Sequence, residues 1–247
     1  MKYTLDIKTL NILRHILYVA ENQSKEVQFC FRKGKKQFYI NPKEEIFVTF
    51  ELNDPIKFEY PIKNLDDFLA EATNETLVLS PYIIDSEKNK VNKDRLFLPT
   101  NEHIKDFEGK SVVQVTDFTK EDYLQIKKHN KFKYLNIIGE DKKFKLRLQN
   151  HYQSYWFDDG NKKILPLGKA SRKFRYILKR DRIILLPNTY KLICKKGGII
   201  RFQYKHLNYY FKAENDWHGI QVKEWVSANS KVKDKHLIAL YKSKGYM

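Results

Sequence analysis

Residues 187–215 read PNTYKLICKKGGIIRFQYKHLNYYFKAEN. Apolar and aromatic residues alternate there with Lys, Arg and His in two runs, and Lys195-Lys196-Gly197-Gly198 separates the runs. This alternation with a glycine-containing break predicts two antiparallel strands joined by a turn. The hairpin would have a basic face. That face is either the solvated side of an ordinary sheet or a platform on which single-stranded nucleic acid stacks.

The charge of the chain is distributed unevenly. The 247 residues carry a formal net charge of +17. Residues 1–110 contain 17 Lys and Arg against 18 Asp and Glu, whereas residues 111–247 contain 30 against 12. A general enrichment in lysine would affect both halves. The excess in the second half therefore indicates a polyanionic partner for that half.

Several classes of protein are disfavoured by the sequence. No apolar run approaches the roughly 20 residues of a membrane span, and the polar start MKYTLDIKTLNILRH lacks the apolar region of a signal peptide. We therefore expect a cytoplasmic protein without a membrane partner. Cys30 and Cys194 stand alone and are expected to be buried thiols. The common nucleotide-binding, metalloprotease and hydrolase motifs are missing, so we expect no enzyme, no metal and no cofactor.

The first half is predicted to begin with an amphipathic helix over residues 4–23. Its apolar residues gather on one side of a helical wheel. The opposite side holds Lys8, Asn11, Arg14, His15 and Tyr18. Short strands are predicted next, followed by the helix LDDFLAEA, which Asn64 can cap. Residues 101–110 show no strong periodicity and are predicted to be a connector between the halves.

The second half repeats this order of elements. Strand VVQVTDF precedes a helix, TKEDYLQIKKHN, that Thr119 can cap. Two hairpins are predicted, at residues 133–150 and 151–168, the latter with Asp159-Gly160 as its turn. A strand at 172–178 and one helical turn within KRDRIILLPNT precede the opening hairpin. The recurrence indicates a duplication at the level of architecture.

Four stretches together resemble the sliding clamps of tailed bacteriophages, which are DNA polymerase processivity factors. They are FEYPIKNLDDFLAEA with ETLVLS, RLFLPTNEHI, FTKEDYLQIKKHNKFKYLNIIGEDKKFKLRLQN and ILLPNTYKLICKKGGIIRFQYKHLNYYFKAEN. The resemblance spans residues 1 to 215 and lies in the order and spacing of elements. No catalytic motif contributes to it.

The resemblance implies an α+β fold of two similar clamp-type domains, each an antiparallel sheet with two helices on one face. The domains would be residues 1–110, with the connector, and 111–215, followed by a basic extension at 216–247. Three such chains would close head-to-tail into a ring around double-stranded DNA, tether a DNA polymerase and be loaded by a clamp loader ATPase. The protein would then act in the cytoplasm of an infected bacterium.

A clamp needs Lys and Arg aimed at phosphates and no groups that read bases. The resemblance implies that these side chains lie on the inner helices. The candidates for DNA binding are Lys8, Arg14, His15, Lys120, Lys127, Lys128, Lys131, Lys179, Arg180 and Arg182. Under the same resemblance the opening hairpin belongs to an outer sheet. Its Lys195, Lys196, Arg201 and Lys205 would then be solvated charges, and its tyrosines would mostly pack.

Two alternatives stay open at this point. A clamp-fold monomer could hold DNA directly through the charge of its second half, in which case binding would weaken steeply with salt. A basic module for single-stranded nucleic acid could instead use Tyr204, Tyr209 and Tyr210 as stacking faces. The extension at 216–247 would either pack on the second domain or bind a partner.

Overall fold

The computed structural model describes residues 2–21, 27–72, 76–80, 99–140, 143–150, 154–157, 162–163 and 174–214. The described helices are α1 (Ile7–Glu21), α2 (Leu65–Ala70), α3 (Asn101–Glu108) and α4 (Lys120–Lys128). None of these helices is long and apolar enough to cross a membrane. The predicted Asp159-Gly160 turn and the extension at 216–247 lie outside the described residues.

Strands make up most of the remaining described structure. In the first half they are β1 (Tyr3–Leu5), β2 (Phe29–Phe31), β3 (Gly34–Ile40), β4 (Ile46–Ile56), β5 (Tyr60–Ile62) and β6 (Leu77–Leu79). In the second half they are β7 (Val112–Phe118), β8 (Tyr134–Glu140), β9 (Lys143–Gln149), β10 (Ser154–Trp156), β11 (Lys162–Lys163), β12 (Phe174–Lys179), β13 (Tyr190–Lys195), β14 (Ile199–Tyr204) and β15 (Leu207–Lys212).

All strand pairs in the described residues are antiparallel, which confirms the predicted α+β class. A six-stranded sheet has the order β3-β4-β15-β14-β13-β7, and a second sheet has the order β10-β9-β8-β12 with β11 also on β9. Two-stranded sheets join β1 to β6 and β2 to β5. The six-stranded sheet is continuous across both halves of the chain, because β4 pairs with β15 from Ile46–Phe211 to Thr49–Asn208.

The opening stretch forms three strands where the sequence predicts two. Gly197 and Gly198 adopt φ of 74° and 73° in the first turn, a conformation that favours glycine. The second predicted run is divided because Lys205, with φ of 51°, and His206 form a tight turn between β14 and β15. A non-glycine residue in this conformation is uncommon, so the pattern of alternation did not indicate the turn.

Two other predictions about elements are corrected. The connector at 101–110 contains α3, whose Thr100 accepts from His103 N while His103 Nδ1 accepts from Thr100 N. Phe107 is the one residue of α3 that is buried, and Ile104 packs partly buried against the same small cluster. The sequence predicts that residues 151–168 pair with each other as a hairpin. In the structure β10 and β11 each pair with β9 instead.

The prediction that Lys195 is a solvated charge is wrong, because this residue is 3% exposed. Its Nζ donates to the carbonyls of Phe107 at 3.0 Å and Glu108 at 2.6 Å. It also lies 5.7 Å from the Tyr210 ring centroid. Desolvation lowers the pKa of Lys195, repulsion from Arg201 lowers it further, and Glu108 opposes both effects. A cation at the carbonyl end of α3 thus fixes this helix to the sheet.

One large core joins the two halves. The apolar side of α1 and the inward residues of β4, β8, β9, β13, β14 and β15 belong to the same buried cluster. Cys30 and Cys194 are both buried, as predicted. The one helical turn predicted within KRDRIILLPNT is a three-residue 3-10 turn at Arg180–Arg182.

Candidate nucleic-acid interface

The exposed side of α1 presents basic and polar side chains. Asp6 begins the helix, since its Oδ1 accepts from Thr9 N at 2.8 Å. Lys8, Arg14 and Tyr18 are exposed. Arg14 Nη1 donates to Asn11 Oδ1 at 3.0 Å, which orients the guanidinium along the outer face. The predicted outer face is therefore confirmed for these residues, although DNA contact stays a prediction.

His15 does not lie on that outer face, and this part of the wheel assignment is wrong. Its side chain is buried, and its Nδ1 lies 2.8 Å from the Tyr209 hydroxyl of β15. Burial lowers the pKa of His15 to about 4, with a smaller contribution from the charge of Lys127. His15 is therefore neutral near pH 7. The hydroxyl of Tyr209, far away in the sequence, supplies the polar contact that makes burial acceptable.

The second basic surface belongs to α4. Thr119 Oγ1 accepts from Asp122 N at 3.1 Å, while Asp122 Oδ2 accepts from Thr119 N at 2.7 Å. This reciprocal cap confirms the predicted start of the helix. All four lysines that were predicted to cluster here are exposed, and so is Leu124, which lies between them. The lysines are Lys120, Lys127, Lys128 and Lys131.

Buried aromatic side chains hold α1 and α4 on the same side of the six-stranded sheet. The ring of Tyr209 lies 6.1 Å from that of Tyr190, and both rings are buried. Tyr123 of α4 accepts from Leu185 N at 3.2 Å. Tyr123 and Ile126 of α4 belong to the same buried cluster as the apolar side of α1, so both helices pack on one core.

The cations of the 3-10 turn have partners within the protein. Arg182 lies 3.1 Å from Glu45 and 3.1 Å from Glu214. Lys179 lies 3.8 Å from Glu214, and Arg180 Nε donates to the Phe132 carbonyl at 2.8 Å. Since Glu45 belongs to the first half, Arg182 links the two halves. These three predicted DNA contacts are therefore at least partly engaged in internal structure.

The predicted set thus separates into two groups. Lys8, Arg14 and the four lysines at α4 are exposed and form no ion pair with a carboxylate of the described residues. Exposed cations that no described carboxylate neutralises are suited to contact phosphates without reading sequence. In the part of the chain that the structure describes, no group of three or more His, Cys, Asp or Glu could hold a metal.

The tyrosines of the opening hairpin do not form a stacking platform. Tyr209 and Tyr210 are each 1% exposed, so their ring faces cannot accept bases. Tyr204 is partly exposed but lies 6.0 Å from the buried ring of Tyr190. Their packing confirms the prediction that these aromatics mostly cover the sheet.

The sequence analysis did not identify Tyr123 as a residue that joins a helix to the sheet. Tyr123 is buried, and its place on the inward side of α4 follows from helical periodicity. Tyr209 was expected to pack, but its partner was not identified. Nothing in the local pattern indicates that Tyr209 contacts His15, because 194 residues separate them.

Comparison with solved structures assigns this architecture to a known fold. A chain of the PCNA2–PCNA3 complex of Sulfolobus tokodaii superposes with a TM-score of 0.58 at 11% identity, covering 87% of this chain and 99% of the other. The DNA polymerase III beta subunit of Eubacterium rectale gives 0.57 at 12%, and the DNA polymerase sliding clamp of Pseudomonas aeruginosa gives 0.55 at 11%.

The match is one of fold. Each of the two bacterial comparisons covers 87% of this chain, which spans 66% and 65% of their lengths. No protein-family model and no curated protein sequence matches the chain. At identities of 11% and 12% the likeness establishes the three-dimensional arrangement and not the activity. The chain has the α+β fold of the DNA sliding clamps.

Proposed function

We propose that the protein is a DNA sliding clamp, a non-enzymatic processivity factor that encircles duplex DNA. The observation that supports this most is that α1 and α4, which pack on one core, each expose a basic face. These faces lie on one side of a clamp-type sheet, and their six cations have no ion-pair partner among the described residues. Lysines on a helix surface can contact phosphates in any register, which a protein that moves along DNA requires.

In the proposed mechanism the protein is retained on DNA by the closed ring and not by the affinity of its phosphate contacts. A closed ring stays on DNA by topology, so its phosphate contacts can be individually weak and exchange rapidly. Exposed lysines on flexible stems meet this requirement, because each is a mobile point charge. Neither base-edge recognition nor a bound cofactor is needed.

The proposed assembly is a homotrimer of chains that each contain two clamp-type domains, residues 1–110 and 111–215, with a basic extension at 216–247. Its partners would be double-stranded DNA, a replicative DNA polymerase and a clamp loader ATPase. The resemblance to the clamps of tailed bacteriophages supports these assignments and a place of action in the cytoplasm of an infected bacterium. Closed, head-to-tail symmetry is the form in which one chain can make such a ring.

The test replaces the α4 lysines. In the variant Lys127→Gln/Lys128→Gln/Lys131→Gln we expect duplex DNA to bind more weakly, because three phosphate contacts are removed. The slope of log affinity against log salt should become shallower by about 2.7, at roughly 0.9 per contact. Fluorescence anisotropy with a labelled duplex measures both quantities.

A matched control removes the same charge elsewhere. Lys36, Lys191 and Lys212 each lie within 4 Å of a described carboxylate, so the triple Gln variant at these positions should leave the salt slope nearly unchanged. Equal effects in the two variants would show that net charge, and not the helical surface, determines binding. An unchanged slope in the α4 variant would remove α4 from the DNA interface.

A second candidate is a clamp-fold monomer that grips DNA by charge alone. The observation that favours it is the excess of cations over anions in residues 111–247, 30 against 12. The two functions differ in how they respond to salt. A ring loaded on closed circular DNA should resist moderate salt and be released when the circle is cut, whereas a charge-held monomer should dissociate steeply with salt in both cases.

A further inference from the structure

The side of the five-stranded sheet turned away from the main core carries basic side chains beside a small buried cluster of Tyr134 and Ile177. Along β8 and β9, Leu135, Ile137, Leu146 and their inward neighbours belong to the main buried cluster. The residues between them point to the opposite face, because side chains alternate along a strand. Among them, Lys145 and Arg147 of β9 lie on the same face.

Strand register brings a third cation to the same place. Asn136 of β8 is paired with Arg147, and Ile138 is paired both with Lys145 on β9 and with Arg175 on β12. Lys145 and Arg147 therefore flank β8 on one side and Arg175 flanks it on the other. Adjacent strands are about 4.8 Å apart, so the cations surround a single narrow strip of sheet.

Arg147 is the least satisfied member of this cluster. Its Nε is buried and has no hydrogen-bond partner, and no carboxylate among the described residues forms an ion pair with it. Burial lowers the pKa of Arg147, and the nearby charge of Arg175 lowers it further. A bound anion would counter both effects, because it would pair with one guanidinium and screen the repulsion between the two.

Two neighbours hold the guanidinium groups in defined positions. Asn136 Oδ1 accepts from Arg175 Nε at 3.1 Å and from Nη2 at 2.9 Å. The Cζ of Arg147 lies 4.8 Å from the centroid of the Trp156 ring. Such fixed positions reduce the conformational entropy that ligand binding would otherwise cost.

Trp156 adds an aromatic surface to the cations. It lies on β10, at the end of the sheet order, and is paired with Arg147 on β9. It is 38% exposed, so part of its ring is accessible to a ligand. An aromatic ring beside phosphate-binding cations is the combination that binds unpaired bases.

We propose that the face formed by Lys145, Arg147, Trp156 and Arg175 binds single-stranded nucleic acid. The site lies on a different sheet from the helical surface of α1 and α4 and goes beyond the duplex tether proposed above. An unpaired strand supplies both a base to stack on Trp156 and phosphates for the arginines. A duplex conceals its base faces, and an acidic peptide supplies carboxylates without a ring. The single strand is therefore the ligand that uses the whole site.

The test measures binding of a fluorescein-labelled oligothymidylate to the full chain by anisotropy. Trp156→Leu should weaken binding roughly tenfold, because one stacked base is lost. Arg147→Gln should weaken binding and make the salt slope shallower by about 0.7, the value for one phosphate contact on a single strand. Arg147→Lys should restore the slope without the full affinity, because it keeps the charge and loses the planar group that lies on Trp156.

Two sets of variants separate this proposal from the duplex function. Lys127→Gln/Lys128→Gln/Lys131→Gln should reduce duplex binding and leave oligothymidylate binding within twofold, while Trp156→Leu should do the reverse. Lys36→Gln/Lys191→Gln removes charge from neither surface and should affect neither ligand. Circular dichroism of each variant checks that the fold is retained.

Three results would overturn the proposal. Oligothymidylate affinity could be unchanged in both Trp156→Leu and Arg147→Gln. It could fall equally in the Lys36→Gln/Lys191→Gln control, which would indicate net charge alone. A glutamate-rich peptide could bind in an Arg147-dependent manner while the oligothymidylate does not, which would assign the face to a protein partner.

Discussion

At the scale of single residues, the helix that carries Lys8 and Arg14 also buries a neutral histidine, His15. His15 lies beneath the exposed faces of α1 and α4, bonded to Tyr209, and its Nε2 has no hydrogen-bond partner. Protonation would place a second positive charge beside Lys127 in a site from which water is largely excluded. The burial of His15 therefore makes its contact with Tyr209 sensitive to acid.

The free energy of unfolding should fall between about pH 6.5 and pH 4 because of His15. Its pKa in the folded protein is about 4, below its value of 6.5 in the unfolded chain, so the unfolded chain binds the proton more readily. The stability that neutral His15 contributes is complete above pH 6.5 and decreases by about 3 kcal/mol as the pH falls to 4. Urea unfolding at several pH values measures this loss.

His15→Asn is the matched variant, because its side-chain amide can still form a hydrogen bond with the Tyr209 hydroxyl and does not titrate in this range. The difference in unfolding free energy between the wild type and the variant should change with pH, while carboxylates contribute equally to both. If the two proteins lose stability in parallel, the acid sensitivity comes from groups other than His15.

At the scale of elements, the helix that presents most lysines of the candidate interface depends on its cap. Three exposed lysines lie on α4, and a fourth, Lys131, follows the helix. Few apolar residues of α4 pack on the core. Tyr123 and Ile126 provide that packing, and the Thr119–Asp122 cap satisfies backbone groups at the start. A nine-residue helix is too short to be stable by itself. Its cap and its buried contacts therefore determine where the lysines lie.

Thr119→Ala should lower the free energy of unfolding by about 1 kcal/mol, the usual cost of removing an N-cap hydroxyl. Thr119→Ser keeps the oxygen that accepts from Asp122 N and should retain most of the stability. Thermal and urea unfolding of the two variants measure the difference. Equal losses in both would indicate that the threonine methyl group, and not the cap, stabilises this helix.

At the scale of the whole molecule, the two halves behave as one structure. Pairing of β4 with β15 makes one sheet of both halves, and Arg182 connects Glu45 with Glu214. The two halves also share the main buried cluster. A shared sheet and core oppose motion between the halves, which the proposed ring requires.

Size-exclusion chromatography with light scattering should detect a species of three 29.7 kDa chains that persists on dilution. The expectation follows from the proposed closed, head-to-tail trimer, in which every subunit makes two identical contacts. The mass should be measured over a range of protein and salt concentrations. A monomer at every concentration would contradict the closed ring and favour the clamp-fold monomer that holds DNA by charge.

The sequence by itself determined the elements whose signals are local. Helix α1 follows from apolar spacing, the starts of α2 and α4 follow from Asn64 and Thr119, and β7 coincides with the alternating run VVQVTDF. Each signal lies within a few residues of the structure that it specifies. The concentration of charge in the second half is likewise a property of the sequence alone.

Only the tertiary structure decided which polar side chains remain available. His15 is buried by Tyr209, Lys195 by the end of α3, and Arg182 is paired with Glu45 and Glu214. Each of these partners is distant in the sequence, and a helical wheel or strand pattern contains no information about them. The free energy of a buried polar group depends on whether a partner satisfies it, and the fold alone brings such partners together.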